Sequence, residues 1–332
     1  MSETMQYRQL GKSGLTVSTI GVGCNNLGRF GTITEQQEGV DRVISAAVDA
    51  GITLFDVADI YGKEPGLSET MFGASLKKLG SAARDNMVVV SKFGMDMQGG
   101  NGADYGVRGS RRYIMRAVEA SLKRLGTDHL DLYFYHTPDG VTPVEETLAA
   151  LNTLIEQGKV RYIGHSNHAG WQIAQAEYVA RELGTHRFIA AENHYNLLDR
   201  RAELEVMPAA REFGLGVLPY FPLANGLLTG KYADGKAPEG SRLSHSKKEL
   251  LESTDWEQLG KFSQFCRGRD MSEVQVALSW LAHQQPVASV IAGATTIEQI
   301  QDNAGAASLR LSAEDLAELD KIFPAPAKIA LF

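Results

Sequence analysis

The segment "LFDVADIYG", residues 54–62, begins like a buried strand and then places Asp56, Asp59 and Tyr61 within six residues. Carboxylates and a phenol can move protons, and gathered at a site they do general acid–base work. The structural alternative is turn and cap chemistry, for which aspartate is well suited. Two more strand-like runs end on ionisable side chains, "VVVSK" on Lys92 and "LYFYH" on His136. A lysine and an aspartate at the ends of buried strands are costly unless paired. A second chemistry is also spelled out, because His165, His168 and His194, with Asp56 and Glu192, are zinc-ligand types. The turn in "HSNH" is expected to splay His165 away from His168, and successive strands lack a His-x-His pair, so no metal site is expected.

What must position these residues is a repeat of structure. Gly51 precedes "ITLFD", Gly126 precedes "TDHLDLYFYH", Gly158 precedes "KVRYIGHS", Gly184 precedes "THRFIAAE" and Gly214 precedes "LGVLPY". Glycine just past a helix end takes the left-handed conformation cheaply, so each marks a helix-to-strand turn. With "IGVG" at 20–23, "MVVVSK" at 87–92 and "ASVIAG" at 288–293, eight short strands are predicted, β-branched or aromatic as doubly buried strands are. Val40, Val43, Ile44, Ala47 and Val48 keep one face of a helix, as do Ile114, Val118, Leu122 and Leu125 behind a capping Ser110. Ser312 and Asp315 form a capping box before Leu316 and Leu319.

Eight strands alternating with helices predict an α/β fold, a (β/α)8 TIM barrel forming one domain over residues 1–332. A doubly wound open sheet would run from its first strand through a Gly-rich loop straight into a helix, whereas "GVGCNNLG" leads into a long loop. Two excursions are expected: an N-terminal β-hairpin in "YRQLGKSGLTVS", 7–18, and a long loop after strand seven, between Phe221 and Met271. The latter contains "YADGKAPEGSRLSHSKK" and would serve a site on the barrel's C-terminal rim. The Gly-rich "MQGGNGADYGVRG", 97–109, reads as a second mobile loop.

Composition narrows the function. Hydrophobic residues make up 43% and charged residues 22%, the balance of a soluble globular protein. A net charge of -7 argues against nucleic acid or an anionic membrane as the main partner, and no apolar run is long enough to span a bilayer. The start, "MSETMQYRQL", lacks a secretory pattern, and Cys24 and Cys266 stand far apart, so a reducing cytoplasm is expected. Nothing in the chain specifies an oligomeric state.

In such a barrel the site lies at the C-terminal strand ends. Strand two ends at Asp56, three at Lys92, four at His136, five in "GHSN", six at Glu192 and seven at Tyr220. At these residues the chain resembles the aldo-keto reductase family over essentially its whole length. "FDVADIYG" is similar to the family's strand-two signature, with Val57 where Thr is usual, "VVVSKFG" to its lysine strand and "DLYFYHTPD" to its histidine strand. "VRYIGHSNH", "LPYFPLANGLLTGKY" and "AGATTIEQIQDN" resemble its Gly-x-Ser-Asn, seventh-strand and adenosine-binding segments. The resemblance implies a nicotinamide-dependent reductase of small-molecule carbonyls with a catalytic tetrad of Asp56, Tyr61, Lys92 and His136. Reduction creates an alkoxide that needs a proton, and Tyr61 would supply it. Lys92 would lower the phenol's pKa, Asp56 would hold Lys92, and His136 would orient the carbonyl. Asp59 has no part in the pattern and is expected to be a turn or cap residue.

The resemblance also implies cofactor contacts. Ser166 and Asn167 would hold the nicotinamide carboxamide and Tyr220 would stack on the ring, while Glu192 stands where Gln is normal. Phe221 takes a position where many members have Ser near the pyrophosphate, with Leu223 in the same segment, and Cys24 one where Thr is common. Gly293, Thr295, Gln299, Asp302 and Asn303 match the adenosine region. Many NADP-selective members carry Lys and Arg at the positions of Gly293 and Gln299. Here the 2′-phosphate would fall to Thr295, Thr296, backbone amides or Arg242. NADP is the expected cofactor, with NAD as the alternative. Substrate specificity would lie in loops 24–31, 95–109 and 137–143 and in the tail "PAPAKIALF". A second class of function is a nicotinamide-nucleotide-sensing regulatory subunit with slow turnover, for which a partner-binding N-terminal extension would argue.

Overall fold

The computed structural model describes residues 5–232, 243 and 249–327. Eight parallel strands form one curled sheet in the order Val290–Gly293, Ile20–Gly23, Leu54–Asp56, Val88–Phe93, Leu130–Tyr135, Val160–Ser166, Ala190–Glu192 and Gly216–Val217. The ends of the sheet meet: Val217 N donates to Pro286 O at 3.0 Å, Ala288 N to Val217 O at 2.9 Å and Ile291 N to Pro219 O at 3.1 Å. Below, the strands are called first to eighth from Ile20–Gly23 to Val290–Gly293. The seventh is shorter than "LGVLPY" suggested. Pro219 has no amide hydrogen to donate, and towards the sixth strand the chain beyond Val217 keeps Leu218 N to Ala191 O at 2.9 Å and Tyr220 N to Asn193 O at 3.2 Å.

The helices lie between the strands. Gln37–Asp49 buries Val40, Val43, Ile44 and Ala47. Arg111–Leu125 starts at Ser110, whose Oγ accepts from Tyr113 N, and stops at Gly126, whose φ of 64° is left-handed. Ala313–Ile322 carries the capping box of Ser312 and Asp315. Tyr7–Gln9 and Thr16–Ser18 pair antiparallel as a separate two-stranded sheet. The stretch after the seventh strand is not all loop, since it contains the helix Trp256–Arg267, capped by Asp255 and burying Leu259, Phe262 and Phe265. Residues 233–242 and 244–248 of that stretch, with Arg242 expected near the 2′-phosphate among them, lie outside the described residues, as do the last five of the tail. Among the described residues no helix is long and apolar enough to cross a membrane.

One alternation prepares the site. Leu54, Val88, Val90, Leu132, Phe134, Ala190 and Leu218 pack with Leu10 and Val17 in a cluster inside the curled sheet. Side chains on a strand point to the same face at every second residue. Asp56 therefore follows Leu54, Lys92 follows Val90, His136 follows Phe134 and Glu192 follows Ala190 on that face. The apolar plug and the polar groups above it are successive layers of one pattern. Gly164 completes it, because a Cβ there would lie 2.5 Å from the Phe134 ring.

Candidate active site

The structure brings Asp56, Tyr61, Lys92 and His136 together. Lys92 is 0% exposed. Its ammonium donates to Asp56 Oδ1, to Tyr61 OH at 3.2 Å and to Val57 O at 3.3 Å. His136 meets the Tyr61 ring edge-on, with centroids 5.8 Å apart. Glu192, 1% exposed, sets Oε2 at 3.4 Å from the same ammonium. That contact is chiefly electrostatic, because at this distance Oε2 is not well aligned to accept a hydrogen bond, and what bonding it has to Lys92 is weak.

Burial and charge oppose each other here. Burial works to lower the Lys92 pKa, but the Asp56 and Glu192 carboxylates more than offset it and hold the ammonium charged. Burial raises the Asp56 carboxyl against the pull of Lys92. Burial, then the charge of Asp56, pushes Glu192 up to about 8. Burial also raises the Tyr61 phenol above its ordinary value. Lys92 pulls it down, as expected, but the net shift is upward because burial and both carboxylates outweigh that pull. Tyr61 thus rests as a neutral phenol with a proton to give. His136 is lowered to about 3 by burial and then by Lys92, so its imidazole is neutral at neutral pH.

Asp56, Tyr61, His136 and Glu192 open on a cleft of 620 Å³, which also takes in Asn167, Tyr220, Phe221, Leu223, Gly293, Thr295, Gln299, Asp302 and Asn303. Lys92 and Ser166 stand behind its wall. Ser166 Oγ donates to Glu192 O at 2.8 Å, and Asn167 Nδ2 donates to Ser166 Oγ at 3.1 Å and His136 O at 3.0 Å. Tyr220 donates its hydroxyl to Asn167 Oδ1 at 2.7 Å and is backed by His194, stacked at 5.4 Å and 9°. Asn167 and Phe221 have φ of 58° and 51°, in the left-handed region. For a bulky residue such as Phe221 this costs on the order of 1 kcal/mol or more, and such strain gathers at functional sites. At the far end, Gln299 Oε1 accepts from Thr295 N at 2.8 Å and Thr295 Oγ1 at 3.2 Å.

Four features were not expected from the sequence. Arg29 and Lys231 line the cleft, its lysine and arginine among the described residues. The signal for Lys231 was a lone lysine in "TGKY" at the seventh-strand exit. His165 and His168 are not splayed apart: their rings lie 4.4 Å from each other, because the chain turns back after Ser166. Neither nitrogen of His165 has a partner, and among the described residues no three His, Cys, Asp or Glu gather as metal ligands. Asp59 lies in a turn, which Tyr61 N closes by donating to Ala58 O at 3.1 Å, but its burial and its partner were not expected. It is 0% exposed, and its Oδ2 accepts from Asn101 Nδ2 at 2.9 Å. Asn101 in turn accepts from Arg124 Nη1 at 3.2 Å, so the Gly-rich loop 97–109 is pinned to the barrel at its middle.

A family model described as the aldo/keto reductase family matches residues 19–323. The chain is 38% identical over 325 residues to an uncharacterized oxidoreductase, YrpG, of Bacillus subtilis (strain 168), covering 97% of each. It is 34% identical over 326 residues to L-glyceraldehyde 3-phosphate reductase of Escherichia coli (strain K12), covering 96% of this chain and 92% of that one. It is also 36% identical over 306 residues to a probable voltage-gated potassium channel subunit beta of Oryza sativa subsp. japonica, covering 90% of each.

Proposed function

The chain belongs to the aldo/keto reductase family, and on that premise we propose that it reduces a small-molecule aldehyde or ketone to the alcohol with NADPH. The observation that carries this reading is the Asp56–Lys92–Tyr61 chain of contacts, ending on a phenol that opens with His136 on one cleft. The cleft suits a dinucleotide. Its volume lies within the range of about 300–1,000 Å³ usual for ligand sites, and beside the tetrad it holds Glu192 Oε2, a buried oxygen with no hydrogen-bond partner. Asn167 and Glu192 would face the carboxamide, with Ser166 behind them holding both, Tyr220 would face the ring, and Phe221 and Leu223 the pyrophosphate. Gly293, Thr295, Gln299, Asp302 and Asn303 would face the adenosine, with Arg29 and Lys231 as cations within the cleft.

When bound, the reduced nicotinamide supplies the hydride. Tyr61 gives its proton to the oxygen that becomes the alcohol, and the Lys92 ammonium stabilises the phenolate left behind. Asp56 keeps that ammonium in place. Neutral His136 orients the carbonyl without adding charge. Cys24 and Cys266, both buried and unpaired, suit the reducing cytoplasm in which we place the protein. The likeness to a channel subunit beta favours one second reading, a nucleotide-sensing subunit with slow turnover. Cofactor oxidation over a carbonyl panel that includes a triose phosphate, run with NADPH and NADH, tests both. Rapid turnover supports the reductase, and tight nucleotide binding with slow turnover of every carbonyl supports the sensor.

A further inference from the structure

Glu192 is more than Lys92 requires. An ammonium has three donors, and Lys92 directs them to Asp56, Tyr61 and Val57 O. Glu192 Oε2 therefore sits in the field of the ammonium, 3.4 Å away, without a well-aligned donor of its own. The other ionisable groups around it are the Asp56 carboxylate, the Tyr61 and Tyr220 phenols and, from the fourth strand, the neutral His136 imidazole. Ser166 and Asn167 bond to its backbone oxygen and leave the carboxyl alone. The neighbourhood thus holds two carboxylates and one ammonium. A buried, ionised carboxylate with an unfilled oxygen is costly, and two carboxylates sharing a site do not both ionise readily. The proton belongs on the one held less well, and that is Glu192, since Asp56 takes the direct contact. Protonated on the oxygen away from Lys92, its carboxyl turns from acceptor to donor and offers an O–H to the cleft it lines.

We propose that Glu192 is a proton-gated hydrogen-bond donor to the carboxamide oxygen of the bound nicotinamide, so that nucleotide is held when Glu192 is protonated and released more readily when it ionises. The inference rests on the cofactor reading above. Its sign follows from linkage: a nucleotide that prefers the protonated form binds best at low pH and weakens as pH rises through the ionisation of Glu192. Burial and Asp56 place that ionisation near 8, whereas Lys92 and Tyr61 are held well above it and His136 well below.

The experiment is isothermal titration of the wild type and Glu192→Gln with NADPH and with NADH between about pH 7 and 9.5, above the phosphate ionisation near 6. The Gln variant keeps a donor and cannot titrate. Wild-type affinity is expected to fall about tenfold across this range, the scale of one hydrogen bond lost, with the variant constant to about twofold. Infrared difference spectra of the two proteins without nucleotide, at pH 7, are expected to show a protonated carboxyl in the wild type alone. Flat wild-type binding, an equal slope in both proteins, or no protonated carboxyl overturns the inference while the cofactor reading stands. If neither protein binds either nucleotide at any pH, the cofactor reading falls and takes the inference with it.

Discussion

Tyr61 and Lys92 can be separated by what each loses. Tyr61→Phe keeps the ring and removes the hydroxyl that accepts from Lys92 at 3.2 Å. It is expected to lower kcat by about 10²–10⁴-fold, the usual contribution of a general acid, with nucleotide affinity within a few-fold of wild type by titration. Turnover near wild type would exclude Tyr61 as the acid. Lys92→Met removes the cation from between two buried carboxylates. We expect the same loss of activity together with about 3–5 kcal/mol of stability, as when one partner of a buried pair is deleted. Urea unfolding checks it, and the deficit is expected to grow with pH because Asp56 and Glu192 must then ionise without a partner. Unchanged stability would mean the carboxylates do not need the ammonium. Asp56, Lys92 and His136 were legible because each ends a β-rich run, and alternation along a strand then decides which face it joins, whereas Tyr61 lies past its strand and was singled out by the resemblance of "FDVADIYG". Asp59 was not legible, because its partner Asn101 is 42 residues away in a loop with no period to read.

At the scale of elements, the turn from the fifth strand into the helix Gly170–Leu183 is where local pattern failed. Tyr162, Gly164 and Ser166 point into the curled sheet, so His165 must point outward, and there it meets His168 and Phe188. The alternation was readable, but the turn geometry that folds His168 back was not, since it depends on Asn167 taking a φ of 58°. Burial, then the neighbouring His168, holds the His165 pKa well below its ordinary value. A histidine that is neutral when folded but titrates near 6.5 when unfolded binds fewer protons in the native state. Its contribution is complete above that pH and is lost as pH falls, by about 1.4 kcal/mol per pH unit. His165→Leu, which fills a similar volume without orphaned nitrogens, is therefore expected to melt higher than wild type, by a margin that widens from pH 6.5 to 5. A margin independent of pH would show that His165 charges in the folded protein at no cost. The repeat of strands and helices was legible at this scale because Gly126, Gly184 and Gly214 all take the left-handed conformation at helix ends. The helix Trp256–Arg267 was hidden by the polar segment before it.

For the whole molecule, a net charge of -7 sets a field that opposes an anionic dinucleotide at long range. Discrimination between NADPH and NADH must then come from cations placed within the cleft, and Arg29 and Lys231 are those among the described residues. Lys231 is a point charge rather than a bidentate fork, and Arg29 turns Nη1 to Asn26 Oδ1 at 3.5 Å, so the position where a clamping arginine is common is left to Gln299 at the adenosine end. There Gln299 is turned back on Thr295, and Thr296 Oγ1 accepts from Gln299 N at 3.2 Å, leaving only a neutral O–H to offer a phosphate. A charge-assisted bidentate arginine contact is about twice as strong as a neutral hydrogen bond, and each 1.4 kcal/mol is about tenfold in affinity. Without one, the preference for NADPH is expected to stay below about a hundredfold, two such steps. Gln299→Arg is expected to raise NADPH affinity about tenfold and to leave NADH affinity nearly unchanged, because only NADPH carries the additional phosphate. The loss of the Gln299 acceptor frees Thr295 N at an exposed turn, where water replaces it, so the variant's fold is not at stake. Calorimetric titration of both proteins with both nucleotides reads the four affinities directly. A wild-type preference above about a thousandfold, three of those steps, would mean that a clamp already exists. Lys231→Ala and Arg242→Ala would then show which residue forms it, by losing NADPH affinity and keeping NADH affinity. A clear wild-type preference for NADH would overturn the choice of NADPH and leave the rest of the site reading in place, since both nucleotides carry the same nicotinamide for the tetrad and the ring-facing contacts to meet.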